Sequence, residues 1–247
     1  GTSSFSMIVL EKDLSKPYEM IDMVTTPDGS LVAMVHCNNC TSDLNAWVNL
    51  FKEYQELLGI PVNMDEIYSK LYNIALTGDT DCGGLLSYNY ISGEPVTGFA
   101  DGRPLFVRSA NDKFNLANFI CLGRSSQDWQ RYPVQRRKNQ SGQNYWSRRI
   151  IQNQRSRSKN TCCSYQLAYF CDGNSRRGGA WGIALLGSYL VNNEKKQSLA
   201  DFLDESVFVG DAGIEVSPTP EDVAGFNTYI ENYKAGLPIE EAAVKFK

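Results

Sequence analysis

One short stretch of the chain carries residue types and spacing that could do chemistry, and a longer one carries charge. Asn38-Asn39-Cys40-Thr41 follows an apolar run at residues 31–36 and precedes a helical pattern, so it marks a strand-to-helix junction. Amides at a helix N-terminus lack partners within the helix and sit at the positive end of its dipole, which suits a nucleotide phosphate. Asn39 is the candidate nucleotide contact there; the alternative is that Thr41 simply caps the helix. His36, Cys37 and Cys40 give one CxxC and one His, without the second pair or the spacing that zinc requires, and read as core or junction residues. Residues 123–177 hold twelve Lys or Arg, including Arg148, Arg149, Arg155 and Arg157, against Asp128 and Asp172. Such a stretch could grip RNA or DNA electrostatically. Asn39-Cys40-Thr41 and Asn139-Gln140-Ser141 fit the glycosylation sequon, but in a cytoplasmic protein they are chance matches. Gly1-Thr2-Ser3, taken alone, is an ordinary turn.

The elements that must position these residues follow from periodicity and breakers. Residues 5–10 and 31–36 are apolar strands with Thr25-Thr26-Pro27-Asp28-Gly29 turning between them, which predicts an antiparallel meander over 4–37. Leu44, Trp47, Val48, Phe51, Tyr54, Leu57 and Leu58 recur at helical spacing until Gly59 and Pro61. A second helix fits Met64 to Leu76, and Gly83 to Tyr90 reads as a buried strand opened by glycines. Trp181 to Val191 predicts a helix rich in Ala, Leu and Gly, able to pack closely on a sheet. Ser198–Phe208 and Pro220–Ala235 are amphipathic, the latter entered through Thr219-Pro220-Glu221. Strands first and helices later indicate an α/β domain.

Composition narrows the class without naming a partner. The 247 residues are 42% hydrophobic and 21% charged with a net charge of -4, ordinary for a soluble globular chain. No run approaches the roughly 18 apolar residues that span a bilayer, and the start lacks a basic segment followed by an apolar core, so the expected address is cytoplasmic, with no membrane partner. Seven cysteines make an odd number with no legible disulfide framework, and they read as thiols. Starting directly at Gly1-Thr2-Ser3, the chain is expected to be cut from a longer protein.

The basic stretch differs from its surroundings. Residues 123–177 carry a net charge of +10 and the remainder -14, and no apolar residue recurs with helical or strand period from Ser125 to Thr161. Codons can be chosen for residues 144–177 that, read one base later, encode a peptide with a Gly-rich turn, GHGG, and an apolar helical pattern leading into GGAWGIALLGSYL. Residues 123–177 therefore read as the product of a shifted reading frame, aberrant or disordered within a single domain over 1–247. A true basic arm for nucleic acid is the competing reading.

GTSSFSMIVLEKDLSKPYEMIDMVTTPDGSLVAMVHCNNCTSDLNAW, LYNIALTGDTDCGGLLSYNYISGEPVTGFADGRPLFVRS and GGAWGIALLGSYLVNNE, in this order and spacing, resemble the C-terminal lobe of xylulokinase-like members of the FGGY carbohydrate kinase family. The likeness covers residues 1–121 and 178–247, about three quarters of the chain. The resemblance implies an α/β lobe of an actin-like (RNase H-like) ATPase fold with an irregular basic insert. It also implies ATP and Mg as cofactors, and transfer of the γ-phosphate to a hydroxyl of a sugar such as a ketopentose. It places Gly1 and Thr2, with Ser3 beside them, at the ATP phosphates, where a Gly lets amides approach and a Thr hydroxyl can donate. Gly178, Gly179 and Trp181 to Leu186 become a helical scaffold behind the adenine. The catalytic base and most sugar contacts are expected on the N-terminal lobe, absent from this sequence, so the chain alone is expected to be inactive. Nucleotide is the expected partner, nucleic acid is not, and a homodimer is open to the parent protein.

Overall fold

Val32, Ala33, Val35 and Cys37 are all buried, and the strand that carries them, β3 (Leu31–Cys37), is the centre of the first sheet. The computed structural model describes residues 3–10, 12–128, 169–171, 178–192, 196–209, 214–216 and 219–246. β1 (Ser4–Val9) and β2 (Asp22–Thr25) both pair antiparallel with β3, giving the order β1-β3-β2. A meander would have placed β2 in the middle, so that expectation is corrected. The reason lies in the apolar surface. β3 can be buried along most of its length, whereas Phe5, Met7 and Met23 stand about half exposed on β1 and β2, which take the edges. The turn before β3 forms as its residues predict. Gly29 sits at φ +90°, and the Ser30 amide donates to Thr26 Oγ1 at 2.9 Å and to Asp28 Oδ1 at 3.2 Å.

α1 (Ser42–Leu57) and α2 (Met64–Ile74) follow, the second capped by Asn63, whose Oδ1 accepts from the Glu66 amide at 3.3 Å. α2 gives way to a 3-10 turn over Ala75–Thr77 rather than continuing to Leu76 in α form. The strand expected from Gly83 begins only at Leu86. Cys82, Gly83 and Gly84 have φ of 60°, 67° and 85°, a left-handed run incompatible with a strand. β4 (Leu86–Tyr88) then pairs antiparallel with β5 (Leu105–Val107).

α3 (Leu116–Asp128) divides two cores. Ile120 packs with Leu44, Val48, Ile67 and Ala75. Its neighbours Cys121 and Leu122 pack with Cys82, Leu85, Tyr88, Tyr90 and, from α6 (Pro220–Ala235), Phe226, Tyr229, Ile230 and Tyr233. α6 is capped as its sequence predicts, with Thr219 Oγ1 accepting from the Asp222 amide at 3.1 Å and Pro220 in the first turn. α7 (Leu237–Lys245) closes the described chain.

α3 extends through residues 123–128, so the boundary of the basic stretch falls inside a helix. Within that stretch, β6 (Tyr169–Cys171) pairs antiparallel with β7 (Ile214–Val216); residues 129–168 and 172–177 lie outside the described residues. α4 (Gly178–Asn192) contacts Phe208 through Trp181, with ring centroids 5.7 Å apart, yet Ile183, Leu190 and Val191 are 70–82% exposed. Close packing of its apolar surface on a sheet is therefore not what the described residues show. A helix apolar on every side has more surface than one neighbour can cover. The helix expected over 198–208 is α5 (Leu199–Phe202) followed by one π turn, Leu203–Val207.

Candidate functional site

The register Ser4↔Cys37 sets the start of β1 beside the end of β3. Ser3, half-buried, therefore leaves the sheet next to the junction of residues 38–41. Gly1 and Thr2 lie outside the described residues. Ser3 and the junction at 38–41 thus lie at one end of one sheet.

The junction is held from the far side by the loop after β4. Asn39, 4% exposed, donates through Nδ2 to the Ser92 carbonyl at 3.0 Å and to Glu94 Oε2 at 3.2 Å. Its Oδ1 accepts from the amides of Ile91 at 2.9 Å and Ser92 at 3.0 Å. Asn38 donates its amide to Glu94 Oε2 at 3.2 Å and Nδ2 to the Gly93 carbonyl at 2.9 Å, while Asn89 Nδ2 donates to the Cys40 carbonyl at 3.1 Å. A Cβ on Gly93 would collide with the Ala100 carbonyl, which explains a glycine where this loop doubles back.

This geometry corrects the reading of Asn39 as a nucleotide contact. Its carboxamide is committed on both ends to the 91–94 loop, so it braces the junction instead of facing a ligand. Thr41 is the N-cap residue, but its side chain makes no cap bond, so the capping alternative also fails as written. Asp43 stands in the first turn, where burial pushes its carboxyl up and a bond from Trp47 pulls it partly back. An acid at that position already meets the helix dipole. Burial likewise raises Glu94, offset by the donors from Asn39, Val96 and Asn38.

Gly178 opens α4, and Gly179, exposed in its first turn, has nothing within 4 Å of a built Cβ, so packing there does not demand glycine. His36 stacks on Phe5 with centroids 4.5 Å apart, and Cys37 is buried in β3, as core residues should be. Among the described residues, no group of three His, Cys, Asp or Glu is placed to hold a metal ion. No helix among them is long and apolar enough to cross a membrane.

Two features escaped the sequence reading. One is the brace: Asn38 falls at the expected junction, but Asn89, Ser92 and Glu94 had no role assigned from sequence, and the signal is the cluster of amide side chains at 38, 39 and 89. The second is a cavity of about 490 Å³ lined by Asp79, Asp81, Gly84, Lys113, Glu221 and Thr228, among others. Gly83 and Gly84 of the left-handed run form part of its wall, and Asp79 is held by Asn118 at 2.9 Å and Lys113 at 3.1 Å, which keep its carboxyl low.

Residues 1–121 match the family model described as the C-terminal domain of the FGGY family of carbohydrate kinases. Gluconate kinase from Lactobacillus acidophilus shares the fold with a TM-score of 0.68 at 13% identity, over 100% of this chain and 48% of that one. Xylulose kinase from Rhodospirillum rubrum does so with a TM-score of 0.65 at 15% identity, over 95% and 45%. Plasmodium falciparum glycerol kinase with ADP gives 0.64 at 12%, over 97% and 46%. The chain thus spans less than half the length of these kinases. No curated protein matches it in sequence.

Proposed function

We infer, from residues 1–121 being a C-terminal domain of the FGGY carbohydrate kinases in an α/β lobe of the actin-like kinase fold, that the chain is the nucleotide-binding half of an ATP-dependent sugar kinase. The observation that supports this most is the convergence at the end of the first sheet. The register of β1 on β3 carries Ser3 out beside the braced junction at 38–41. Gly1, Thr2 and Ser3 are the residues proposed to meet the ATP phosphates, and the rigid junction fixes where they start. The relative crystallised with ADP supports a nucleotide as the ligand of this lobe.

The reaction is transfer of the γ-phosphate to a sugar hydroxyl, with a xylulokinase-like ketopentose as the proposed acceptor. Phosphoryl transfer is chiefly positioning and charge stabilisation, with a base oriented on the attacking hydroxyl. Mg prefers substrate phosphates, one or two carboxylates and water, so a three-ligand protein cage is not needed. It would supply charge neutralisation at the phosphates. The 247-residue polypeptide by itself is proposed to be inactive, because positioning of sugar and base falls to the other lobe.

The experiment measures sugar-dependent ADP release. The 247-residue polypeptide should show none. A protein with an FGGY N-terminal lobe joined ahead of Gly1 and the reading frame restored over 123–177 should turn over a ketopentose with Mg-ATP. Thr2→Ala in that protein should weaken ATP use by about tenfold, the loss of one charge-assisted hydrogen bond. Turnover by the 247-residue polypeptide, or an unchanged Thr2→Ala protein, overturns the assignment.

A further inference from the structure

Cys82 Sγ and Cys121 Sγ lie 3.0 Å apart, one on the turn that walls the cavity and the other on α3. That separation is inside the van der Waals contact of two sulfurs and about 1 Å longer than a disulfide. The approach is built by the backbone. Cys82 is a non-glycine residue at φ 60°, followed by Gly83 and Gly84 at φ 67° and 85°, and its amide donates to the Asp79 carbonyl at 2.9 Å. Left-handed backbone at a β-carbon-bearing residue persists only where its surroundings enforce it. Here it turns the Cys82 side chain fully inward, 0% exposed, onto Cys121, which is 7% exposed. Cys121 Sγ also approaches the Asp79 carbonyl at 3.9 Å, and residue 79 lines the cavity, as do residues 81, 83 and 84 on either side of Cys82.

We propose that Cys82 and Cys121 form a reversible redox site, a thiol pair that a small peroxide converts to a disulfide joining the cavity wall to α3. The more accessible Cys121 reacts first. Its thiolate attacks a peroxide oxygen, the O–O bond breaks, water leaves and a sulfenic acid forms. The Cys82 thiolate then attacks that sulfur, the S–S bond forms, the S–O bond breaks and a second water leaves. Two thiols are oxidised by two electrons, and one hydrogen peroxide is reduced to two waters. A dithiol reductant reverses the change. The bond would tie the 79–84 wall to α3 and so fix one side of the cavity, independently of the kinase assignment.

The test exposes the 247-residue polypeptide to hydrogen peroxide, blocks remaining thiols after denaturation and maps peptides by mass spectrometry. The expected result is a Cys82–Cys121 linked peptide, lighter by two hydrogens and lost on dithiothreitol treatment, formed while Cys37 and Cys40 remain thiols. Cys82→Ser should abolish the link and leave Cys121 as a sulfenic acid that dimedone traps. If both cysteines stay alkylatable after peroxide has oxidised the half-buried Cys40, the proposal is overturned. A mixture of pairings in similar amounts overturns it too.

Discussion

Replacing Asn39 by Ala tests whether the junction is braced as the geometry requires. The substitution removes two bonds donated by Nδ2 and two accepted from backbone amides by Oδ1. A typical bond contributes about 1 kcal/mol net, and a buried group left without a partner costs about 1–3 kcal/mol. Ile91 and Ser92 are exposed residues, so water can reach their amides and part of the loss is recovered. Glu94 is fully buried and cannot recover its lost donor that way. The expected cost is about 2–4 kcal/mol, against less than about 1 kcal/mol for Asn45→Ala, whose one bond from Tyr68 is exposed.

Asn39→Asp sharpens the test. It keeps the acceptor but turns the donor into a carboxylate oxygen facing Glu94 Oε2 and the Ser92 carbonyl. At neutral pH it should be worse than Ala, and acidification should relieve it. Glu94 alone shows the sign. Its folded pKa is raised, so the stability it contributes is fully present below its unfolded value near 4.5 and is lost as pH rises through the folded pKa. Urea unfolding at neutral and mildly acidic pH, followed by the fluorescence of Trp47 on Phe119, reads both variants. A cost for Asn39→Ala no larger than that of Asn45→Ala, or an Asp variant as stable as Ala at neutral pH, refutes the brace.

Glu240 is buried with Oε1 accepting from the Arg103 amide at 2.8 Å and Oε2 without a hydrogen-bond partner among the described residues. Burial raises its pKa, so Glu240→Gln should flatten the fall in melting temperature between pH about 4.5 and neutrality; an unchanged slope would count against it. Gly225→Ala should destabilise by about 1–3 kcal/mol despite alanine's better helix propensity, because the new Cβ meets both the side chain and the backbone of Thr80. Thr80→Gly should rescue it only in part, which paired denaturant titrations measure. The basic residues of 123–177 should give weak nucleic-acid binding without sequence preference, so sub-micromolar affinity for one sequence at physiological salt would favour a true arm.

What the sequence made legible was local. The Thr219 cap, the Pro27-Asp28-Gly29 turn and the helices α1, α2 and α6 depend on neighbours within a few residues, and they form close to where their patterns put them, although the apolar pattern of α1 ends exposed at Tyr54, Leu57 and Leu58. Strand order was not legible, because pairing β1 with β3 across residues 10–30 is decided by which strand can be buried on most of its length, a comparison no single segment contains. The start of β4 moved for a similar reason. Gly83 and Gly84 were read as a flexible entry, whereas the fold uses them, with Cys82, as a left-handed turn that packs against Asn118 and Asp112.

The candidate site divides the same way. Asn39 was picked for its place at a strand-to-helix junction, and the place was right while the role was not. An amide side chain there can face a ligand or the protein, and only the position of residues 91–94, more than fifty residues downstream, decides between them. Once that loop is in place, an uncommitted Asn39 would leave Glu94 as a buried carboxylate short of a donor, so the protein takes the amide and the ligand does not. On the proposed reading, phosphate contacts fall to residues other than the Asn39 carboxamide, at the same end of the sheet. The register of Ser4 on Cys37 fixes where the chain leaves β1, with the half-buried Ser3 beside the junction, so the same pairing that orders the sheet sets the starting point of the proposed phosphate segment.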